Sequence, residues 1–179
     1  MKHRTGYVSN SSSSSFVVIP DGVVKNYNEN MEARMIESFD RMKLVFDFTT
    51  TSPEWFGIFW NDETQFGWQV VNYHGTKDKW NWLVLQACYA KRQFGDEKYC
   101  RMLDKYVQSF GRDVEIEWGR IDAAIDNLDA YIDHQSIEPK DNFNEVEKIG
   151  IDEFLSNDDC YISNSNDNGG YDEKPEERF

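Results

Sequence analysis

The stretch KDKWNWLVLQACYAKRQFG, residues 77–95, carries the strongest fold signal in the sequence. Its apolar residues recur with the period of an α-helix, and one face is formed by Trp80, Leu83, Val84, Ala87 and Cys88. The apolar surface extends over most of the helix circumference, because it also includes Trp82, Leu85 and Tyr89. Gly95 follows, and glycine commonly ends helices because it adopts the left-handed conformation without steric cost. The stretch therefore predicts a largely buried helix.

The sequence after this helix predicts a second helix, a strand and a third helix. Residues 96–110 carry one apolar stripe, and Gly111 is predicted to end this second helix. The short link between the two helices predicts an antiparallel pair. Residues 113–118 (DVEIEW) alternate strictly, which is typical of a half-exposed strand with Glu115 and Glu117 facing water. Apolar residues at helical spacing then predict a third helix that runs to about Asp133.

The remaining parts of the chain give shorter signals. Residues 16–19 (FVVI) are predicted to be a strand, stopped by the turn former Pro-Asp-Gly at residues 20–22. Helical spacing recurs in residues 30–42. Three β-rich runs follow, and the last two are joined by a four-residue hairpin loop; the runs are residues 44–48, 55–60 and 66–73. Near the end of the chain, we interpret residues 137–148 as loop, 151–155 as a helical turn and 160–162 as a final strand.

This order of strands, helices and a strand predicts an α+β fold. We expect a single domain in which an antiparallel β-meander packs on three to four helices. The predicted boundaries are a serine-rich arm at residues 1–15, the domain at residues 16–163 and a mobile acidic tail at residues 164–179.

Composition narrows the classes of function. The chain has 179 residues and a formal net charge of −14, so binding to nucleic acid or to an anionic membrane is disfavoured, because both depend on lysine and arginine. A protein with a basic surface is the expected partner. Three cysteines without a CxxC pair indicate neither a disulfide framework nor a metal site, and no cofactor motif is present. The sequence favours a soluble protein of the reducing cytoplasm.

A row of aspartates is the main candidate for a binding surface. On one predicted helix, positions i, i+4, i+7 and i+11 are Asp122, Asp126, Asp129 and Asp133. Like charges at this spacing destabilise a helix by roughly 0.2–0.5 kcal/mol per pair, so neutralising them should leave the fold intact or more stable. With Glu115 and Glu117 nearby, the row resembles the charges of a nucleic-acid strand. A solvated face and a metal site remain alternatives.

An enzymatic alternative rests on residues near the end of the predicted third helix. His134 follows Asp133 directly, and two further carboxylates stand together at Asp158 and Asp159. Histidine and aspartate supply ligands and general bases to metal-dependent hydrolases. The same His134 is better explained as a helix-terminal residue that interacts with the last carbonyls of the helix.

The opening of the chain resembles a group of small proteins. Residues 4–16 read RTGYVSNSSSSSF, which combines a basic residue, Gly, an aromatic residue, Val, Ser-Asn, a serine run and Phe. This string is similar to the start of many uncharacterised proteins of bacteriophages and mobile elements. The resemblance implies phage origin and the bacterial host cytoplasm, and it implies no activity.

These observations together favour a phage-type accessory protein that binds a host or phage protein. The specific hypothesis is an inhibitor or anti-defence protein that mimics nucleic acid by presenting carboxylates to a basic groove. A metal-dependent hydrolase and a virion or assembly component are the alternatives.

Overall fold

The structure is a computed structural model, and it describes residues 13–23, 55–56, 65–67, 70–109, 115–127, 130–133 and 138–166. The described strands are β1 (Ser13–Val18), β2 (Trp55–Phe56), β3 (Gln65–Phe66), β4 (Asn72–Tyr73), β5 (Glu115–Ile116), β6 (Tyr131–Ile132) and β7 (Tyr161–Asn166). The described helices are α1 (Thr76–Phe94), α2 (Lys98–Gln108), α3 (Trp118–Asp126), α4 (Pro139–Ile149) and α5 (Ile151–Ser156). Within these ranges, no helix has both the length and the hydropathy that a membrane span needs.

Helix α1 is the centre of the fold, as the sequence predicts. Every residue from Lys79 to Cys88 is buried, including both tryptophans of the stretch. The helix ends at Gly95, whose φ of 66° is left-handed and whose backbone N–H donates to the Lys91 carbonyl at 3.0 Å. The next backbone N–H, of Asp96, donates to the Ala90 carbonyl at 3.3 Å. Burial of nearly the whole circumference makes α1 the surface on which the other described elements pack.

Helix α2 also confirms its prediction, although it ends at Gln108 and not near residue 110. Its buried stripe consists of Tyr99, Cys100, Leu103 and Val107. Cys100 donates from Sγ to the carbonyl of Ala87 at 3.5 Å, so this stripe lies directly on α1.

The α+β class and an antiparallel sheet are confirmed, but the strands are not connected as a meander. The three-stranded sheet has the order β1-β7-β4, with Val17 opposite Ile162 and Tyr73 opposite that same residue. Strand β2 pairs in parallel with β5, and β3 pairs in parallel with β6. The run predicted as one strand over residues 66–73 is divided between two sheets. Alternating side chains reveal that a segment is a strand, but they do not reveal its partner.

Two predictions between residues 119 and 150 are wrong. The third helix ends at Asp126, where the Asn127 side-chain amide donates to the Ala123 carbonyl and satisfies a helix-end acceptor. Residues 137–148 are not a loop, because α4 occupies most of them. Its signals are Pro139 in the first turn, where the missing N–H costs nothing, and buried apolar residues at i+3 spacing, namely Phe143, Val146 and Ile149.

Both predicted domain boundaries fall inside strands of one sheet. Strand β1 begins at Ser13, within the predicted arm, and β7 continues to Asn166, within the predicted tail. Ser15 is 2% exposed and accepts a hydrogen bond from the indole N–H of Trp82 at 3.0 Å. The central sheet therefore includes residues 13–15 and 164–166, which the predicted boundaries assign to the arm and the tail. The predicted helix at residues 30–42, the strand at 44–48 and the hairpin loop lie outside the described residues.

Two polar side chains connect helices to the three-stranded sheet and its neighbouring turn. Strand β1 is at the edge of its sheet, and the backbone N–H of Val17 donates to Asn142 Oδ1 of α4 at 3.2 Å, which covers part of that edge. Lys79 is fully buried, and its ammonium donates to the carbonyls of Asn157 and Cys160 at 3.0 and 3.1 Å. The turn between α5 and β7 is thereby held at the N-terminal end of α1.

Candidate functional site

The four aspartates predicted to form one row lie on different elements. Asp122 and Asp126 are one helical turn apart on α3, but the helix ends there. Asp133 follows β6 and is 4% exposed, so it does not belong to a solvent-facing row. Asp129 lies outside the described residues. The predicted row on a single helix is therefore wrong.

The two aspartates that remain on α3 share one ion-pair partner, an arginine of α1. Arg92 Nη2 donates to Asp126 Oδ1 at 2.6 Å, and Arg92 Nη1 lies 3.7 Å from Asp122 Oδ1. The hydrogen bond that Arg92 donates to Asp126 is the main reason that the pKa of Arg92 is raised. Asp122 Oδ1 also accepts from the Cys88 thiol at 3.0 Å. Both carboxylates therefore already have partners within the fold.

The predicted strand that carries Glu115 and Glu117 is shorter than expected. Only Glu115 and Ile116 are in β5, and Glu117 is the residue that precedes α3. Glu117 pairs with Arg120 of α3 at 3.4 Å. Trp118 begins α3, and its indole N–H donates to Asp104 of α2 at 3.1 Å. The alternating pattern of DVEIEW therefore extends past the strand and into the start of α3. At that position Glu117 has an ion-pair partner in that helix.

The residues of the alternative hydrolase site are placed as follows. Asp133 donates its backbone N–H to the Phe66 carbonyl at 2.9 Å and lies beside Gly67. A side chain at Gly67, whose φ is 112°, would come within 2.5 Å of the Asp133 Cβ, so this approach requires glycine. Asp158 and Asp159 are exposed in the turn before β7. His134 lies outside the described residues, and among the described ones no three His, Cys, Asp or Glu side chains are grouped as a metal ion needs.

A cavity of about 360 Å³ lies where the C-terminal end of α1 meets the start of α2 and the start of α4. Its apolar lining consists of Ala90, Phe94, Tyr99 and Pro139, and its charged lining consists of Asp96, Glu138, Lys140 and Asp141. The order of elements explains this arrangement, because Gly95 turns the chain sharply from α1 into α2. We call this cavity the acidic pocket.

Two residues that line the acidic pocket make contacts within the fold. The Tyr99 ring stacks on Phe143 of α4, with centroids 4.4 Å apart and an interplanar angle of 17°. Asp96 Oδ1 accepts from the backbone N–H of Lys98 at 2.8 Å, which fixes this carboxylate at the start of α2. Aromatic stacking and a local side-chain to backbone hydrogen bond therefore position two lining residues before any ligand arrives.

The electrostatic field at the acidic pocket is negative. Burial raises the pKa of the Tyr99 phenol above its usual value, and the carboxylates of Asp96, Glu147 and Asp141 raise it further. Close by, the Lys98 ammonium lies 5.2 Å from the Tyr99 ring centroid and 3.4 Å from Glu147. A cation is thus already held between a ring and a carboxylate at the edge of this pocket.

Sequence reasoning missed the acidic pocket because α4 was interpreted as loop. The signal was present in Pro139 and in the apolar spacing that follows it, and a helix there brings Glu138 and Asp141 to its first turn. Nothing in the sequence, however, indicates that this turn faces the end of α1.

Comparison with known proteins adds no template for the acidic pocket. No protein-family model, no curated protein and no solved structure matches this chain. The functional proposal therefore rests on the pocket's own shape and charge.

Proposed function

We propose that the protein is a binding protein that docks onto a basic segment of another protein through the acidic pocket. The observation that carries this proposal is the combination of an apolar floor with three carboxylates in one cavity. Apolar surface supplies affinity when it is covered, and carboxylates at the rim select a cationic partner.

The charge of the whole chain supports the same partner. A formal net charge of −14 attracts basic proteins over long range and speeds their encounter. Salt should weaken such binding, because the attraction between exposed charges is screened within about 10 Å at 0.1 M ionic strength.

The proposal extends to a host or phage protein as the partner, in keeping with the phage origin that the resemblance of the opening residues implies. It does not extend to a nucleic-acid mimic. That hypothesis needs a periodic row of solvent-facing carboxylates, whereas Asp122 and Asp126 pair with Arg92 and Asp133 is buried.

A capture experiment with charge-matched variants tests the proposal. The wild-type chain, Asp96→Asn/Asp141→Asn and Asp21→Asn/Asp152→Asn are immobilised and exposed to a bacterial lysate. Both double variants change the formal charge from −14 to −12, because each removes two carboxylates. Asparagine retains an oxygen that can accept from the Lys98 N–H, so the local hydrogen bond at residue 96 survives.

The control carboxylates are remote from the acidic pocket. Asp21 lies three residues after the end of β1. The last residue of β1, Val18, pairs with Tyr161, and Tyr161 follows the turn that Lys79 holds at the start of α1. The residues of α1 that line the pocket, Ala90 and Phe94, follow Lys79 by 11 and 15 positions, which is roughly 17–22 Å along the helix axis. Asp152 likewise lies beyond the C-terminal end of α4.

We expect a basic protein to be captured by the wild type and by the control variant, released by salt, and lost from the pocket variant. Equal capture by both double variants would show that net charge alone is responsible and would contradict a role for the pocket. Equal thermal unfolding temperatures for the two variants verify that both are folded.

A further inference from the structure

The side chain of Asn164, on the central strand β7, is buried without a hydrogen bond. The residue is 2% exposed, and among the described residues neither its Nδ2 nor its Oδ1 has a hydrogen-bond partner. A side-chain amide can donate two hydrogen bonds and accept two. Burial of such a group without partners is unfavourable, and native proteins satisfy most buried polar groups with protein atoms or with ordered water. We therefore expect a polar partner at this amide.

A second polar side chain faces Asn164 from the neighbouring strand. Ser15 of β1 is the register partner of Asn164 in the antiparallel pair β1–β7. Opposite residues in such a pair point to the same face of the sheet, with Cβ atoms about 4.5–5.5 Å apart. Both residues are 2% exposed, and Ile162, two positions earlier in β7, is fully buried. The Ser15 hydroxyl and the Asn164 amide thus lie side by side on the buried face of the sheet.

The Ser15 hydroxyl can form a further hydrogen bond on this face. Its Oγ accepts from the indole N–H of Trp82 in α1 at 3.0 Å. A serine hydroxyl has one donor and two acceptor sites, so this bond leaves capacity for another polar group. Ser15 and Asn164 are not hydrogen-bonded to each other directly. Polar groups that face each other beyond hydrogen-bond distance are commonly bridged by water.

We propose that one internal water molecule binds between β1 and β7 and bridges the Asn164 amide to the Ser15 hydroxyl. The water accepts from Nδ2, donates to Oδ1 and bonds to Ser15 Oγ, and about three such bonds are typical of buried water. Each bond is about 2.8 Å long, so a single water spans polar atoms roughly 4.5–5.5 Å apart. Ser15 then fastens β1 to α1 through Trp82 and to β7 through the water. Neither Ser15 nor Asn164 lines the acidic pocket, so the inference is independent of the function proposed above.

Relaxation dispersion of the water ¹⁷O signal tests the proposal, because it counts long-lived internal waters and is insensitive to hydroxyl protons. The full-length wild type, Asn164→Leu and Asn142→Leu are compared. The number of long-lived waters should fall by about one in Asn164→Leu. Asn142 is the matched control, since it is 6% exposed and its amide is already bonded to the Glu138 carbonyl and the Val17 N–H. Asn142→Leu should therefore retain the wild-type number.

A second measurement uses the wild type alone, so it does not depend on the folding of a variant. In a ¹⁵N-edited rotating-frame experiment, the Nδ2 protons of Asn164 should show a dipolar contact with water, and those of Asn142 should show none. The sign of the cross-peak separates such a contact from proton exchange. In Ser15→Ala the water loses one partner, so the contact at Asn164 should weaken.

An equal number of long-lived waters in the wild type and Asn164→Leu would overturn the proposal. The absence of a water contact at the Asn164 amide would overturn it as well, because the amide would then be unpaired or bonded to another part of the chain. An unchanged contact in Ser15→Ala would reject the bridge between the strands. Loss of one water in both leucine variants would show that the effect is not specific to Asn164 and would also reject the site.

Discussion

At the scale of single residues, the fold raises the pKa of all three cysteine thiols. All three are buried free thiols. Burial raises the pKa of Cys100 to about 12 and also raises that of Cys160. The pKa of Cys88 is raised by burial first and then by its hydrogen bond to Asp122. Because thiolate is the reactive form, these residues should be poor nucleophiles in the native protein.

Stability should therefore decrease in alkaline solution. Below about pH 8.5 both the native and the unfolded thiols are protonated, so the contribution to stability is fully present. Above that pH the unfolded chain loses protons that the native chain keeps, and each buried thiol should cost about 1.4 kcal/mol per pH unit. Urea unfolding at pH 7.5 and pH 9.5 measures this loss.

The variant Cys100→Ala is the control for this pH effect. It removes buried volume and so destabilises the protein at pH 7.5, but its loss of stability between the two pH values should be smaller than that of the wild type. An unchanged slope in Cys100→Ala, or a wild-type stability that is constant up to pH 9.5, would contradict the assignment of the effect to buried thiols.

At the scale of elements, the contact between α1 and α3 reverses an expectation from the sequence. Taken alone, the spacing of Asp122 and Asp126 predicts that their neutralisation leaves the fold equally or more stable. Arg92 lies between them and donates to Asp126 at 2.6 Å, so Asp126→Asn should instead destabilise the protein by about 0.5 kcal/mol. The effect is small because the Asp126 side chain is 64% exposed.

A double-mutant cycle measures this pair directly. Asp126→Asn, Arg92→Gln and the double variant are unfolded in urea at low salt, and we expect a coupling free energy of about 0.5–1 kcal/mol. High salt should reduce the coupling, because both side chains are partly exposed. A coupling near zero, or a gain of stability in Asp126→Asn, would favour the original expectation of repulsion.

The same elements show how far the sequence predicts this fold. Helix α1 was predictable because its period extends over 19 residues and Gly95 marks its end. Strand pairing was not predictable from the sequence. The parallel pairs β2–β5 and β3–β6 are each two residues long, and the paired strands are more than fifty positions apart in the chain. Such short strands carry no pattern of their own, and their pairing depends on packing against helices.

For the candidate site, the sequence predicts only that the charge is negative. Composition indicates a basic partner, but an acidic residue in the sequence does not reveal whether it is free or paired. Asp122 and Asp126 were selected for their spacing, and both are near Arg92, which is thirty or more positions earlier in the chain. Asp96 and Asp141 carry no distinctive spacing, and they become neighbours only because the starts of α2 and α4 meet.

At the scale of the whole molecule, the net charge of −14 has a direct effect on stability. Repulsion among unbalanced carboxylates is greater in the compact native state than in the expanded unfolded chain, so it opposes folding. Ion pairs such as Arg92 with Asp126 and Lys98 with Glu147 act in the opposite sense. Exposed pairs contribute little individually, and fourteen uncompensated charges should outweigh them.

Added salt should therefore stabilise this protein. The screening length shortens from about 30 Å at 0.01 M to about 8 Å at 0.15 M, so most of the repulsion should disappear within that range. We expect the unfolding temperature to rise by about 2–4 °C, which corresponds to roughly 1 kcal/mol for a chain of this size. Calorimetry in NaCl measures the rise, and Asp21→Asn/Asp152→Asn should show a smaller one. A constant or falling unfolding temperature would mean that the ion pairs, and not the net charge, dominate the electrostatic free energy of the fold.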